Sequence, residues 1–172
     1  MPTVMECRQA MVDVCNWAIE NNTEIYYGQV RPIPVSLPEY YLPFTTDCSG
    51  FVTMMAKWSG NPDPNGNDYD GQGYTGTMLS NLPHIPLVNT WRGDLAVFGA
   101  YPGLHVVALL QGGCREADPA VVSHGGEGGP EQYPLSEVLS FFGPGCPVTY
   151  LRLRPNNADE ALAEPPDLTA AV

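Results

Sequence analysis

The sequence predicts an α+β fold in which a cysteine-bearing helix packs on a small antiparallel sheet. Two segments, residues 4–21 and 48–58, repeat apolar side chains at offsets that share one helix face. Four short stretches, residues 95–98, 106–110, 120–122 and 148–153, are apolar or alternating and are bounded by glycine or proline, as strands are. Short turns between them imply antiparallel pairing.

The first helix opens with Thr3 and Glu6 at capping-box spacing and continues through Val4, Cys7, Met11, Val14, Cys15 and Ala18 to Asn21-Asn22. Residues 22–43 are aromatic and proline-rich and suit a loop laid over the surface. Phe51, Val52, Met54, Met55 and Trp58 give the second helix a buried face, and Ser59-Gly60-Asn61-Pro62 stops it. Residues 60–76 hold repeated Gly, Asn and Asp with Tyr69 and Tyr74, which reads as an ordered loop. Asp63, Asp68 and Asp70 lack the spacing and terminal glutamate of a calcium loop. Residues 135–142 form a short helix after Pro134, stopped by Gly143-Pro144-Gly145, and residues 148–153 close the sheet at one edge.

A chain of 172 residues that is 44% hydrophobic can bury roughly two-thirds of its unfolded surface, enough for one domain. We assign residues 1–154 to that domain. Residues 155–172 lose apolar periodicity and read as a flexible C-terminal tail. Neither a membrane span nor a signal peptide is encoded. Seven basic against nineteen acidic residues give a net charge of −12, which repels phosphate backbones and argues against nucleic acid as a partner.

Five cysteines without CxxC spacing fit neither a zinc ribbon nor a fully paired disulfide framework. Cys7 and Cys15 read as small core residues, and Cys114 and Cys146 could pair only if the fold joins their turns. Cys48 is different. In Thr45-Thr46-Asp47-Cys48-Ser49-Gly50 it stands where a polar turn enters a helix, and free N–H groups at a helix start favour thiolate over thiol. A thiolate nucleophile needs a base, and the base needs an orienting group. His105 at the head of its strand is the base candidate, and His124 at the end of the next strand is the orienting candidate, within reach if the strands are adjacent. His84, flanked by prolines, reads as a turn residue.

The order of these motifs resembles the NlpC/P60 family of papain-like cysteine peptidases. Asp47-Cys48-Ser49-Gly50-Phe51-Val52 is similar to the family's nucleophile motif, Gly93-Asp94-Leu95-Ala96-Val97-Phe98 to its GDL strand, His105-Val106-Val107 to its base strand, and Val122-Ser123-His124 to its third polar position. Gly73-Tyr74-Thr75-Gly76-Thr77 and Ser123-His124-Gly125-Gly126-Glu127 further resemble peptidase domains from phages of actinobacteria, including endolysin N-terminal domains. The resemblance implies a papain-like fold and a cysteine peptidase that cuts stem peptides of bacterial peptidoglycan without a cofactor or metal, the family also allowing cross-bridge cleavage and amidase activity. Such an enzyme is released from the host cytoplasm to the cell wall or carried with other virion proteins.

Catalytic roles then fall to Cys48, His105 and His124, with Asp47, Ser49 and either Tyr26 or Tyr27 at the oxyanion or substrate. The family's tyrosine position is Ile25 here. Residues 112–119 add length between the histidines and make Asp118 a rival orienting group. Two other classes stay open: a zinc site built from one cysteine and two histidines, and a non-enzymatic wall-binding or virion module on the same fold.

Overall fold

The structure, a computed structural model, describes residues 3–126 and 128–153. It is a mixed α+β architecture. The expected tail of residues 155–172 lies outside the described residues.

Helix α1 (Val4–Glu20) starts in the expected capping box: the Thr3 N–H donates to Glu6 Oε2 at 2.7 Å, and the Glu6 N–H donates to Thr3 Oγ1 at 3.2 Å. Met11, Val14, Cys15 and Ala18 turn inward. Helix α2 (Cys48–Trp58) is buried on every side except at Lys57, because α1 covers one flank and the sheet the other. Between them, β1 (Ile25–Tyr27) and β2 (Phe44–Thr46) pair in parallel, with Ile25 opposite Phe44. The proline-rich loop joining these strands is held down by Ile33, which is buried, and by Tyr40, whose ring meets the edge of Trp17 at 4.9 Å.

Among the described residues the main sheet has six strands in the order β3-β8-β4-β5-β6-β7. They are β3 (His84–Ile85), β4 (Leu95–Phe98), β5 (His105–Leu109), β6 (Ala120–Ser123), β7 (Glu131–Pro134) and β8 (Val148–Leu151), all paired antiparallel. Alternation along β5 divides it between two cores: Val106 and Ala108 join α1 and α2, while Val107 and Leu109 join Phe98, Val121 and helix α4 (Leu135–Phe142). With both faces covered, β4 and β5 read as continuous apolar runs.

Four features differ from expectation. Strand β1 lies inside residues 22–43, the segment read as loop, because its pairing partner β2 is distant in sequence. Strand β8 is interior, because His84 and Ile85 form a two-residue strand that pairs outside it; His84 is therefore part of the sheet margin, not of a turn. Helix α3 (Thr75–Asn81) begins inside the segment read as loop. Strand β7 was not visible because Glu131 and Gln132 face solvent and supply no apolar alternation. The glycine- and asparagine-rich loop before α3 is ordered around Asp63, whose carboxylate accepts from the N–H groups of Asn65, Asn67 and Tyr69.

Asp94 anchors the whole sheet. It is fully buried and accepts from Arg8 at 2.9 Å, from the Trp91 N–H at 2.8 Å and from the Leu153 N–H at 3.1 Å, with Arg152 Nε at 3.3 Å. Two buried arginines and two backbone donors thus tie α1, β4 and the chain after β8 to one carboxylate. Among the described residues no helix is long and apolar enough to cross a membrane.

Candidate active site

Cys48 is the first residue of α2, and Asp47 is its N-cap, accepting from the Gly50 N–H at 2.8 Å. Such a cap contributes about 1 kcal/mol and fixes the cysteine's backbone. The sulfur is nearly buried and sits against the N–H of Val106, one residue past His105 on β5. Burial pushes the thiol above its ordinary value. The Val106 N–H works against that rise, the Asp47 charge adds to it, and the N–H groups of Ser49 and Cys48 lower it again.

His105 lies on the strand face opposite Val106. Its ring stacks on Phe142 at 5.8 Å and lies 6.2 Å from that of Phe98. Burial in this aromatic wedge, with a smaller contribution from His124, lowers its pKa to about 4. Free protein at neutral pH therefore holds His105 as a neutral imidazole and Cys48 as a protonated thiol. The structure does not bring the two side chains together: the sulfur lies with Val106 on the α2 face of β5, and the imidazole packs with Phe98 and Phe142 on the other face.

The expected His105–His124 bond is not formed. Register explains this: Ala108 pairs with Val122 and Leu109 with Val121, so Ser123 shares the face of His105, whereas His124 shares the face of Val106. His105 Nε2 is bonded to Ser123 Oγ at 2.8 Å. His124 Nε2 instead contacts the Thr46 carbonyl at 2.9 Å and the Tyr26 carbonyl at 3.2 Å. Two carbonyl partners require the Nε2–H tautomer. His124 thereby clamps β1 and β2 to the end of the sheet, its ring packed against Tyr27 and Phe51.

The other expected residues are placed as follows. Tyr26 points outward, 54% exposed. Tyr27 lies close enough to Cys48 and Asp47 for their charges, after burial, to raise its phenol pKa. Asp47, an acceptor only, is occupied by Gly50, by the Ser49 hydroxyl at 3.2 Å and by Arg31 at 3.1 Å, so it organises the helix start and cannot donate to an oxyanion. Ser49 also accepts from Arg31 at 3.0 Å. Asp118 is spent on α4, accepting from the Ser136 N–H at 2.8 Å, and the partner of His105 Nε2 is Ser123 instead. All five cysteines are free thiols.

No protein-family model, curated protein or solved structure matches this chain. Its site geometry alone bears on what it does.

That geometry includes a cavity of about 430 Å³ whose lining contains His105, Ser123 and Tyr27. Cys48 does not line it; Tyr27 is the residue that both borders the cavity and lies near the sulfur. Arg31 and Ser123 escaped the sequence reading. Ser123 was adjacent to a more conspicuous histidine, and only the strand register separates them. Arg31 gave no local signal; it reaches Asp47 and Ser49 across the loop, while its Nε donates to the Gly73 carbonyl at 3.0 Å.

A zinc site would need the three side chains to converge. His124 and His105 lie on opposite faces of the sheet, His124 Nε2 is committed to carbonyls, and no group of three His, Cys, Asp or Glu side chains converges among the described residues. This arrangement does not fit the zinc alternative.

Proposed function

We propose that the protein is a cysteine peptidase of the papain-like NlpC/P60 type that hydrolyses peptide bonds in peptidoglycan stem peptides, acting as an endolysin or a virion-associated lysin. The observation that carries this reading is the seating of Cys48: a nucleophile at the first residue of a buried helix, its sulfur on the Val106 N–H, beside the strand position that bears His105. In this mechanism His105 takes the thiol proton as the sulfur attacks the scissile carbonyl, forming the C–S bond. The Cys48 N–H and the Tyr27 hydroxyl stabilise the oxyanion. His105 then protonates the leaving amine as the C–N bond breaks, and water hydrolyses the acyl-enzyme.

Ser123 orients His105, and His124 is a positioning residue that holds the strand carrying Tyr27. A neutral resting pair suits proton transfer coupled to attack, since neither side chain is charged before substrate arrives. Mass spectrometry of fragments released from purified peptidoglycan by wild type and by Cys48→Ala, under reducing conditions, tests the proposal. New amino termini produced by wild type alone are the expected result, and identical fragment-free traces would sink it in favour of a binding or structural module.

A further inference from the structure

The extra length between the two histidines, residues 112–119, shapes a second cavity at the opposite end of β5 from His105. Leu110 directly follows β5, five residues and roughly 16 Å from His105. Beyond it the chain turns back onto residues 90–92. The Cys114 N–H donates to the Thr90 carbonyl at 3.2 Å, the Gly113 N–H to Thr90 Oγ1 at 2.7 Å, and the Glu116 N–H to the Gly112 carbonyl at 3.0 Å. Gly112 lies so close to Trp91 that a Cβ there would stand 2.9 Å from the Trp91 Cα, an approach that glycine permits. The turn and the Trp91-Arg92 pair enclose a volume of about 190 Å³.

This cavity presents donors without acceptors. Trp91 is 4% exposed, and its indole Nε1–H has no hydrogen-bond partner among the described residues. Arg92 lies over the Trp91 ring, its guanidinium carbon 5.2 Å from the ring centre, and its Nε–H is likewise buried and unpartnered. Buried polar groups in folded proteins are nearly all hydrogen-bonded, so two such donors on neighbouring lining residues call for an acceptor. Neither offers a lone pair to a metal ion. Arg115 adds a second cation, and among the described residues Glu116 is the one carboxylate of the lining. Two of the chain's seven basic side chains therefore meet here, in a protein of net charge −12. An arginine fork beside an indole N–H matches the oxygens of a carboxylate or phosphate. The volume equals roughly six waters at about 30 Å³ each, below the ~300 Å³ at which sites for drug-sized ligands begin. The group seated in it is small.

We propose that this cavity binds a small oxyanion, a carboxylate or a phosphate, through the Trp91 indole N–H and the Arg92 guanidinium, with Arg115 as the flanking cation. The site stands apart from the peptidase reading, since neither Cys48, His105, Tyr27 nor Ser123 lines it.

NMR of the three indole N–H groups in the whole ¹⁵N-labelled chain, assigned by triple-resonance spectra, tests the proposal. Sodium phosphate and sodium succinate are titrated separately to about 50 mM, with chloride holding the ionic strength constant. The Trp91 signal should shift and saturate with a Kd of about 1 mM or below for at least one anion, and the anion with the lower Kd names the preferred geometry. Trp17 and Trp58 should stay in place. The Trp58 Nε1–H is also buried and unpartnered but does not line this cavity, so it controls for general anion effects. Arg92→Gln, checked by a thermal melt, should raise that Kd at least about tenfold. Failure of both anions to saturate the Trp91 signal, equal shifts in all three indoles, or saturation unchanged in a folded Arg92→Gln protein would each overturn the site. The wild-type titrations decide the matter even if that variant fails to fold.

Discussion

Acid should destabilise this protein through His105, by an amount that can be worked out. The imidazole is buried between Phe98 and Phe142, and its pKa falls from 6.5 to about 4. In the unfolded chain it takes a proton near 6.5, so between the two values the unfolded state binds more protons and stability rises with pH. The neutral imidazole's contribution is therefore complete above pH 6.5 and is lost as pH falls toward 4. At about 1.4 kcal/mol per pKa unit, the loss between pH 7.5 and 4 is about 3 kcal/mol, a sizeable fraction of a domain's stability. Carboxylates and His124 titrate in the same window, so the assay compares wild type with His105→Gln, in which those groups remain. Urea unfolding at four pH values should give a stability difference between the two proteins that changes by about 3 kcal/mol across the range. Parallel curves, or an NMR titration placing His105 near 6.5, would refute the burial argument.

Other consequences are as specific. Asp94→Asn leaves Arg8 and Arg152 buried beside a neutral amide, and denaturation should show a loss of about 3–5 kcal/mol. Because burial raises the Cys48 pKa, iodoacetamide should modify Cys48 more slowly than free cysteine at pH 7 and accelerate well above pH 9, as peptide mass spectrometry would follow. If Tyr27 serves the oxyanion, Tyr27→Phe should lower kcat about 100-fold while Tyr26→Phe leaves it within about twofold, measured on a soluble stem peptide. Ser123→Ala should lower kcat and shift the acid limb of its pH profile at a stability cost of only about 1 kcal/mol; an unchanged profile would remove Ser123 from the orienting role.

The two long helices and the central strands were legible because their signals are local. Capping at Thr3 and Asp47, apolar spacing along residues 4–20 and 48–58, and apolar runs bounded by glycine are properties of neighbouring residues, and each element appeared within one or two residues of its expected limits. Strand β7 and helix α3 were missed for the complementary reason. β7 is polar on its exposed positions, and α3 follows glycine-rich text, so both are stabilised by what they pack against and not by their own pattern.

At the candidate site, the chain's local chemistry marks a cysteine at a helix start and a histidine at a strand head, because helix caps and strand boundaries are written in adjacent residues. It cannot say which neighbour meets His105. Ser123 and His124 are consecutive, and a one-residue change of register would exchange their faces; the pairing of Ala108 with Val122 settles it, through contacts far apart in sequence. The same holds for Arg31, which reaches Asp47 and Ser49 across 16 and 18 residues, and for the cavity beside His105, whose walls come from β1, β5, β6, β7 and α4. Long-range packing creates those juxtapositions, and no local pattern encodes them.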